Sequence, residues 1–174
     1  MIIDKQSIKG IIVWGIISGD SKLITEIENK LTPNFGQIIL KSPVKSFDFT
    51  NYYEEEMGKD LKRCWLVTEK AISLERLAEI KLYAIQTEKI FANERSQRRI
   101  NIDPGFLTLS NFVLATTKDY GHRIYLKDGI FAEVTLIYRN KSYQYLEWTY
   151  PDYRNAVDFF NEVRRHYQDL LKRI

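Results

Sequence analysis

Residues 8–18, IKGIIVWGIIS, are nearly continuous in apolar, mostly β-branched side chains. A strand with one wet face alternates polar and apolar positions. This run does not, so it belongs in the middle of a sheet with other elements packed on both faces. At 174 residues with 44% hydrophobic side chains, the chain can bury one such core and is short for two. Residues 1–174 are therefore read as a single domain.

The rest of the pattern follows from that strand. Ser18-Gly19-Asp20-Ser21 breaks the run and offers Asp20 or Ser21 as the N-cap of a helix ending near residue 30, with Leu23, Ile27 and Leu31 on one stripe. Pro33 to Gly36 should stop it. Short strands are expected over 37–41 and 44–49, and another over 62–68. A long helix over 72–92 follows, with Ser73 as cap and Ile72 and Leu77 spaced as a hydrophobic staple. Strand, helix, strand, strand, helix, strand in that order suits a ferredoxin-like sandwich, with two helices on one face of an antiparallel sheet.

Beyond it, 112–116, 122–126, 130–138 and 143–146 read as a β-meander, and Lys127-Asp128-Gly129 is its clearest hairpin signal. Ala156, Phe160, Val163, Tyr167, Leu170 and Ile174 then recur at helical spacing, with Asn155 as the expected cap. The expected class is α+β: a ferredoxin-like antiparallel sheet with two helices, extended by a β-meander and a C-terminal amphipathic helix.

Composition narrows the function classes. The net charge of +3 comes from 26 basic and 23 acidic residues, a weak argument for nucleic acid. The single cysteine, Cys64, excludes an intrachain disulfide framework and a multi-cysteine zinc site, and its run CWLV suggests a buried thiol. With His122 and His166 as the only histidines, a His-rich metal site is excluded. No GxSxG or HExxH motif is present. The first residues have no signal-peptide pattern, and the apolar run at 8–17 is too short for a bilayer. A cytoplasmic protein with no membrane partner is expected.

Polar residues concentrate where burial is expected, in the stretch 98–137, and an uncompensated charge there is costly. A two-residue Asp128-Gly129 turn would pair Lys127 with Ile130, Ile124 with Glu133 and His122 with Thr135. His122 and Glu133 then share a face and form a candidate acid/base couple, with Arg123 on the opposite face. The same pair also reads as a structural contact on a half-wet sheet, and that reading is the favoured one because paired charges in sheets are often only structural. Arg99, Asn101 and Asp103 alternate into a Pro104-Gly105 turn, and Arg98 and Arg99 suit bidentate recognition of an anion. Thr116 to Gly121 adds hydroxyls and Lys118. The segment FDFTNYYEEEMG at 47–58 interleaves aromatic rings with acids. It is either a wall and lid of a site or a turn with solvated carboxylates.

Three of these motifs together carry a resemblance: FDFTNYYEEEMG, RRINIDPGFLTLSNFVLATTKDYGHRIYLKDGIFAEVTLIYR at 98–139, and WTYPDY at 148–153. On them the chain resembles, over essentially its whole length, a bacterial family called domain of unknown function four-four-one-six. The resemblance implies a compact bacterial protein and brings no reaction, cofactor or catalytic residue with it.

The residues themselves favour a site for a small anionic, phosphate-bearing ligand. Arg99, Asn101, Asp103, Lys118 and Arg123 would bind it, and His122 and Glu133 would supply acid/base chemistry. A divalent ion on Asp103 and Glu133 stays open. The alternatives are an RNA-binding module on an aromatic and basic sheet face, less favoured because its strand signature is absent, and a protein–protein adaptor using the aromatics of 148–153.

Overall fold

The computed structural model describes residues 8–173. Among them it is a mixed α/β structure, a large open antiparallel sheet with five α-helices. In chain order the elements are β1 (Lys9–Ser18), α1 (Ser21–Phe35), β2 (Ile38–Lys41), β3 (Lys45–Ser46), α2 (Glu54–Met57) and β4 (Lys62–Ser73). A 3₁₀ turn (Leu74–Arg76) leads into α3 (Leu77–Ile90). Then come β5 (Ile100–Leu107), β6 (Asn111–Thr116), β7 (Ile124–Lys127), β8 (Ile130–Arg139), β9 (Ser142–Tyr145), α4 (Pro151–Arg154) and α5 (Val157–Leu171). The sheet order is β2-β4-β1-β5-β6-β8-β7, with β3 on β4 and β9 on β8.

β1 is central and covered on both faces. Ile12, Trp14 and Ile16 pack with Leu23, Ile27 and Leu31 of α1 and with Leu77, Ile80 and Ala84 of α3. On the other face Ile11 and Val13 share a core with Phe160, Val163 and Tyr167 of α5. Farther along β1 the same face meets Tyr153 at Gly15 and the cavity described below at Ile17. Cys64 is buried in the first core, and burial pushes its thiol up to about 11.

Local signals set most boundaries, and long-range packing moved several. Asp20 caps α1 by accepting from the Lys22 N–H. The helix nonetheless runs through Pro33 and stops at Gly36, whose positive φ of 85° supplies the terminating turn. Ser73 does not cap α3, because β4 continues to Ser73 to stay paired with β1 as far as Lys9. The strand expected over 44–49 shrinks to two residues. Asn155 ends α4 and makes no side-chain cap on α5, and Ile174 lies outside the described residues.

Asp103-Pro104-Gly105 is not a turn: β5 runs straight through it. The Ile102 N–H and C=O face away from β1, and strand alternation puts the outward groups of Pro104 on that same side. Proline has no N–H to give a neighbouring strand there. Pairing with β6 accordingly covers only Gly105 to Leu107. Beyond that point β5 and β6 diverge, and the sheet forks. The fork makes room for everything described next.

Candidate ligand-binding cavity

A cavity of about 840 Å³ opens at the fork, within the roughly 300–1,000 Å³ of small-molecule sites. Its walls come from β1, β4, α3, the first half of β5, the end of β6, and the segments around 47–53, 117–123 and 150–153. Arg63, Lys81, Lys89, Arg98, Lys118 and Arg123 line it, against the carboxyls Glu88, Asp103 and Asp152.

Along the fork, side chains replace the missing strand. Glu88 accepts from the Ile102 N–H at 2.6 Å, and Lys81 donates to the Ile102 carbonyl at 2.9 Å. Lys81 also holds Asp103 at 2.8 Å, Asn101 donates to Asp103, and Arg98 donates to Asn101. Burial alone would raise Asp103, yet Lys81 and Arg63 beside it hold its carboxyl below the ordinary range. Glu88 goes the other way. Burial outweighs Lys81 and the Ile102 N–H, and its carboxyl is pushed up to about 7.

At the back wall Arg63, on β4 and only 4% exposed, donates to Asp152 through Nε and Nη2 at 2.8 and 2.7 Å. Its guanidinium lies 5.2 Å from the ring centroids of both Trp65 and Tyr153. Arg63 Nη1, Trp65 Nε1 and the Tyr153 hydroxyl are buried without a hydrogen-bond partner among the described residues. Gly15 gives this group its space: a Cβ there would come within 2.8 Å of Arg63 Nη1 and 3.1 Å of the Tyr153 hydroxyl.

The front wall is the acid–aromatic segment, folded partly as α2. Arg98 pins it, gripping Glu56 through Nε and Nη2 while its backbone N–H donates to the same carboxylate. That grip holds Glu56 below the usual carboxylate range. Phe47, Phe49, Tyr52 and Tyr53 turn to the cavity. Across from them, Lys118 Nζ sits 3.9 Å from the Tyr52 ring centroid and has no carboxylate partner among the described residues.

The expected site residues divide. Asn101, Asp103, Lys118 and Arg123 line the cavity; Arg99, His122 and Glu133 do not. Arg99 precedes β5, so the strand alternation never reaches it, and it pairs with Asp20 at 2.9 Å. His122 and Glu133 do meet, at 2.9 Å, by a different register from the expected one. An irregularity between Tyr125 and Lys127 moves Ile124 opposite Ala132 instead of Glu133, and His122 lies in the turn before β7. Glu133, fully buried, also accepts from Arg123 at 2.7 Å and from Thr135. Arg123 therefore shares its side of the strand pair. The His122 ring is stacked 4.8 Å from Trp148. Asp103 and Glu133 are each taken up by cations of the chain, and no group of three or more His, Cys, Asp or Glu among the described residues is placed to hold a metal ion.

The family model described as Domain of unknown function (DUF4416) matches residues 9–167. This chain belongs to that family. Comparison with curated proteins and comparison with solved structures each gave no match. In this DUF4416 chain the matched region contains every wall of the cavity. No helix among the described residues is long and apolar enough to cross a membrane.

Arg63, Lys81, Glu88, Asp152 and Tyr153 were not anticipated as site residues. One signal for two of them is visible afterwards. Lys81 and Glu88 are seven residues apart, two helical turns, among the inner positions Leu77, Ile80 and Ala84 of α3.

Proposed function

We propose that this DUF4416 chain binds a small anionic, phosphate-bearing ligand in the fork cavity. Lys118 carries the reading. It is a cation in the wall of a concave, aromatic-lined site with no carboxylate among the described residues to neutralise it, and such a site concentrates anions. Lys89 adds a second cation of the same kind. Arg123, held by Glu133 and donating to the Lys118 carbonyl at 2.9 Å, keeps the Lys118 loop in place. On this reading Asn101, Asp103, Lys118 and Arg123 serve the ligand, and His122 and Glu133 position Arg123. Arg99 stands outside. Glu88, half-titrated near neutrality, is the proton-exchanging group in the wall.

The fold reading goes with it. The order β5-β1-β4-β2, with helices following β1 and β4, supports a ferredoxin-like half to which β6 to β9 are added. A cytoplasmic setting is part of the same proposal. Trp148 spends its ring on His122 and its Nε1–H on the Val134 carbonyl, leaving less of the 148–153 patch for an adaptor role.

The test is a thermal-shift series with inorganic phosphate, pyrophosphate and ribose 5-phosphate. Wild type should be stabilised by at least one of them, Lys118→Ala should lose the effect, and Lys172→Ala, at the far end of α5, should keep it. No shift with any phosphate compound, or an equal shift in Lys118→Ala, rejects the site.

A further inference from the structure

The cavity has a second chemical character, which narrows the ligand class. Phe49, Tyr52, Tyr120 and Tyr150 are large apolar side chains with 43%, 61%, 51% and 43% of their surface exposed, and all four line this one cavity. Exposed aromatic surface gathered at one concave rim marks a recognition surface.

Cations lie against two of these rings: Lys118 at 3.9 Å from the Tyr52 centroid and the Arg123 guanidinium at 4.6 Å from Tyr120. Arg98 lies 5.9 Å from the neighbouring ring of Tyr53. A cation over a ring covers that face, and Tyr120 also carries the stacked His122 ring at 6.1 Å, so these rings hold the cations in the wall and leave stacking to a ring without one. Tyr150, at the start of α4, has neither a cation nor another ring against it among the described residues, which leaves its face for a ligand.

We infer that the ligand joins a planar aromatic heterocycle to its anionic group, the chemistry of a nucleoside phosphate, with the ring stacked on Tyr150 and the phosphate at Lys118. This rests on the anion-binding reading and extends it. A sugar phosphate would use the cations and leave the Tyr150 ring uncovered. A nucleoside phosphate uses both.

Isothermal titration with adenosine 5′-monophosphate, guanosine 5′-monophosphate, ribose 5-phosphate and pyrophosphate separates the two claims. At least one nucleotide should bind about tenfold or more tightly than ribose 5-phosphate, the size of one base–aromatic stack. Tyr150→Leu should remove most of that advantage while leaving ribose 5-phosphate within about twofold. The Tyr150 side chain is exposed, and circular dichroism checks that the variant folds. Saturation transfer from protein to the purine ring protons, exceeding that to the ribose, reads the stacking without any variant. Equal affinity for nucleotides and ribose 5-phosphate overturns the ring claim and leaves the anion site standing. Silence from all four compounds overturns both. A twelve-residue oligoribonucleotide binding a hundredfold more tightly than either nucleotide, with steep salt dependence, also overturns the inference, because the rim would then serve a strand.

Discussion

Arg63 and Asp152, 89 positions apart in the chain, meet through two N–H···O contacts of 2.8 and 2.7 Å with both side chains 5% exposed. A buried ion pair repays its desolvation only while both partners are present. Asp152→Ala should therefore destabilise the protein by about 3–5 kcal/mol, because it takes away the carboxylate to which the buried guanidinium donates. Arg63→Met combined with Asp152→Leu should cost much less than the two single changes added together. Urea denaturation of the four proteins checks this, and additive losses would show that the pair does not act as a unit.

Glu88 should give the protein a distinctive pH profile. Its folded value of about 7 lies above the 4.5 of the free side chain. Between those values the folded state holds a proton that the unfolded state has released, so stability falls as pH rises. Relative to Glu88→Gln, which keeps an oxygen for the Ile102 N–H and does not titrate, wild type should lose on the order of 2–3 kcal/mol between pH 5 and pH 8. Parallel stability curves for the two proteins across that range would count against a protonated Glu88.

Gly105 marks the last paired position before the fork, and Phe112 lies over it. A Cβ there would sit 2.4 Å from Phe112 Cζ and 2.8 Å from the Val113 carbonyl oxygen. Gly105→Ala should destabilise by about 1–3 kcal/mol through overpacking. Adding Phe112→Leu should cost less than its own separate penalty, and the coupling in a double-mutant cycle measures the relief.

Glu133 has a reach beyond its own strand. It holds Arg123, whose side chain is 3% exposed and which in turn donates to the Lys118 carbonyl. Glu133→Gln should weaken this chain and speed amide hydrogen exchange through the loop at 117–123 more than in α1 or α5. A uniform increase across the protein would mean that only global stability had changed.

Much of the scaffold was legible because its signals are local. The unbroken apolar run made β1 central, Asp20 announced α1, and Asp128-Gly129 set Lys127 opposite Ile130. The site was legible only in part. Asn101, Asp103, Lys118 and Arg123 stood in a conspicuously polar stretch, whereas Arg63 and Asp152 come from distant segments, one read as a plain strand and the other as an aromatic motif. Nothing local in KRCWLV indicates which carboxylate will answer its arginine. Register failed for a related reason: the irregularity between Tyr125 and Lys127 has no marker such as glycine, and one residue of slip changes every partner behind it. Pro104 was a true breaker, but it broke a strand pairing and left the strand intact.

The way Lys81 and Glu88 finish the outer side of β5 matters for more than ligand chemistry. A bare row of amides and carbonyls in the middle of a wide sheet invites a strand from another molecule. Lys81 and Glu88 occupy the outward carbonyl and amide of Ile102, so a strand from a second copy would have to displace both contacts to pair at that position.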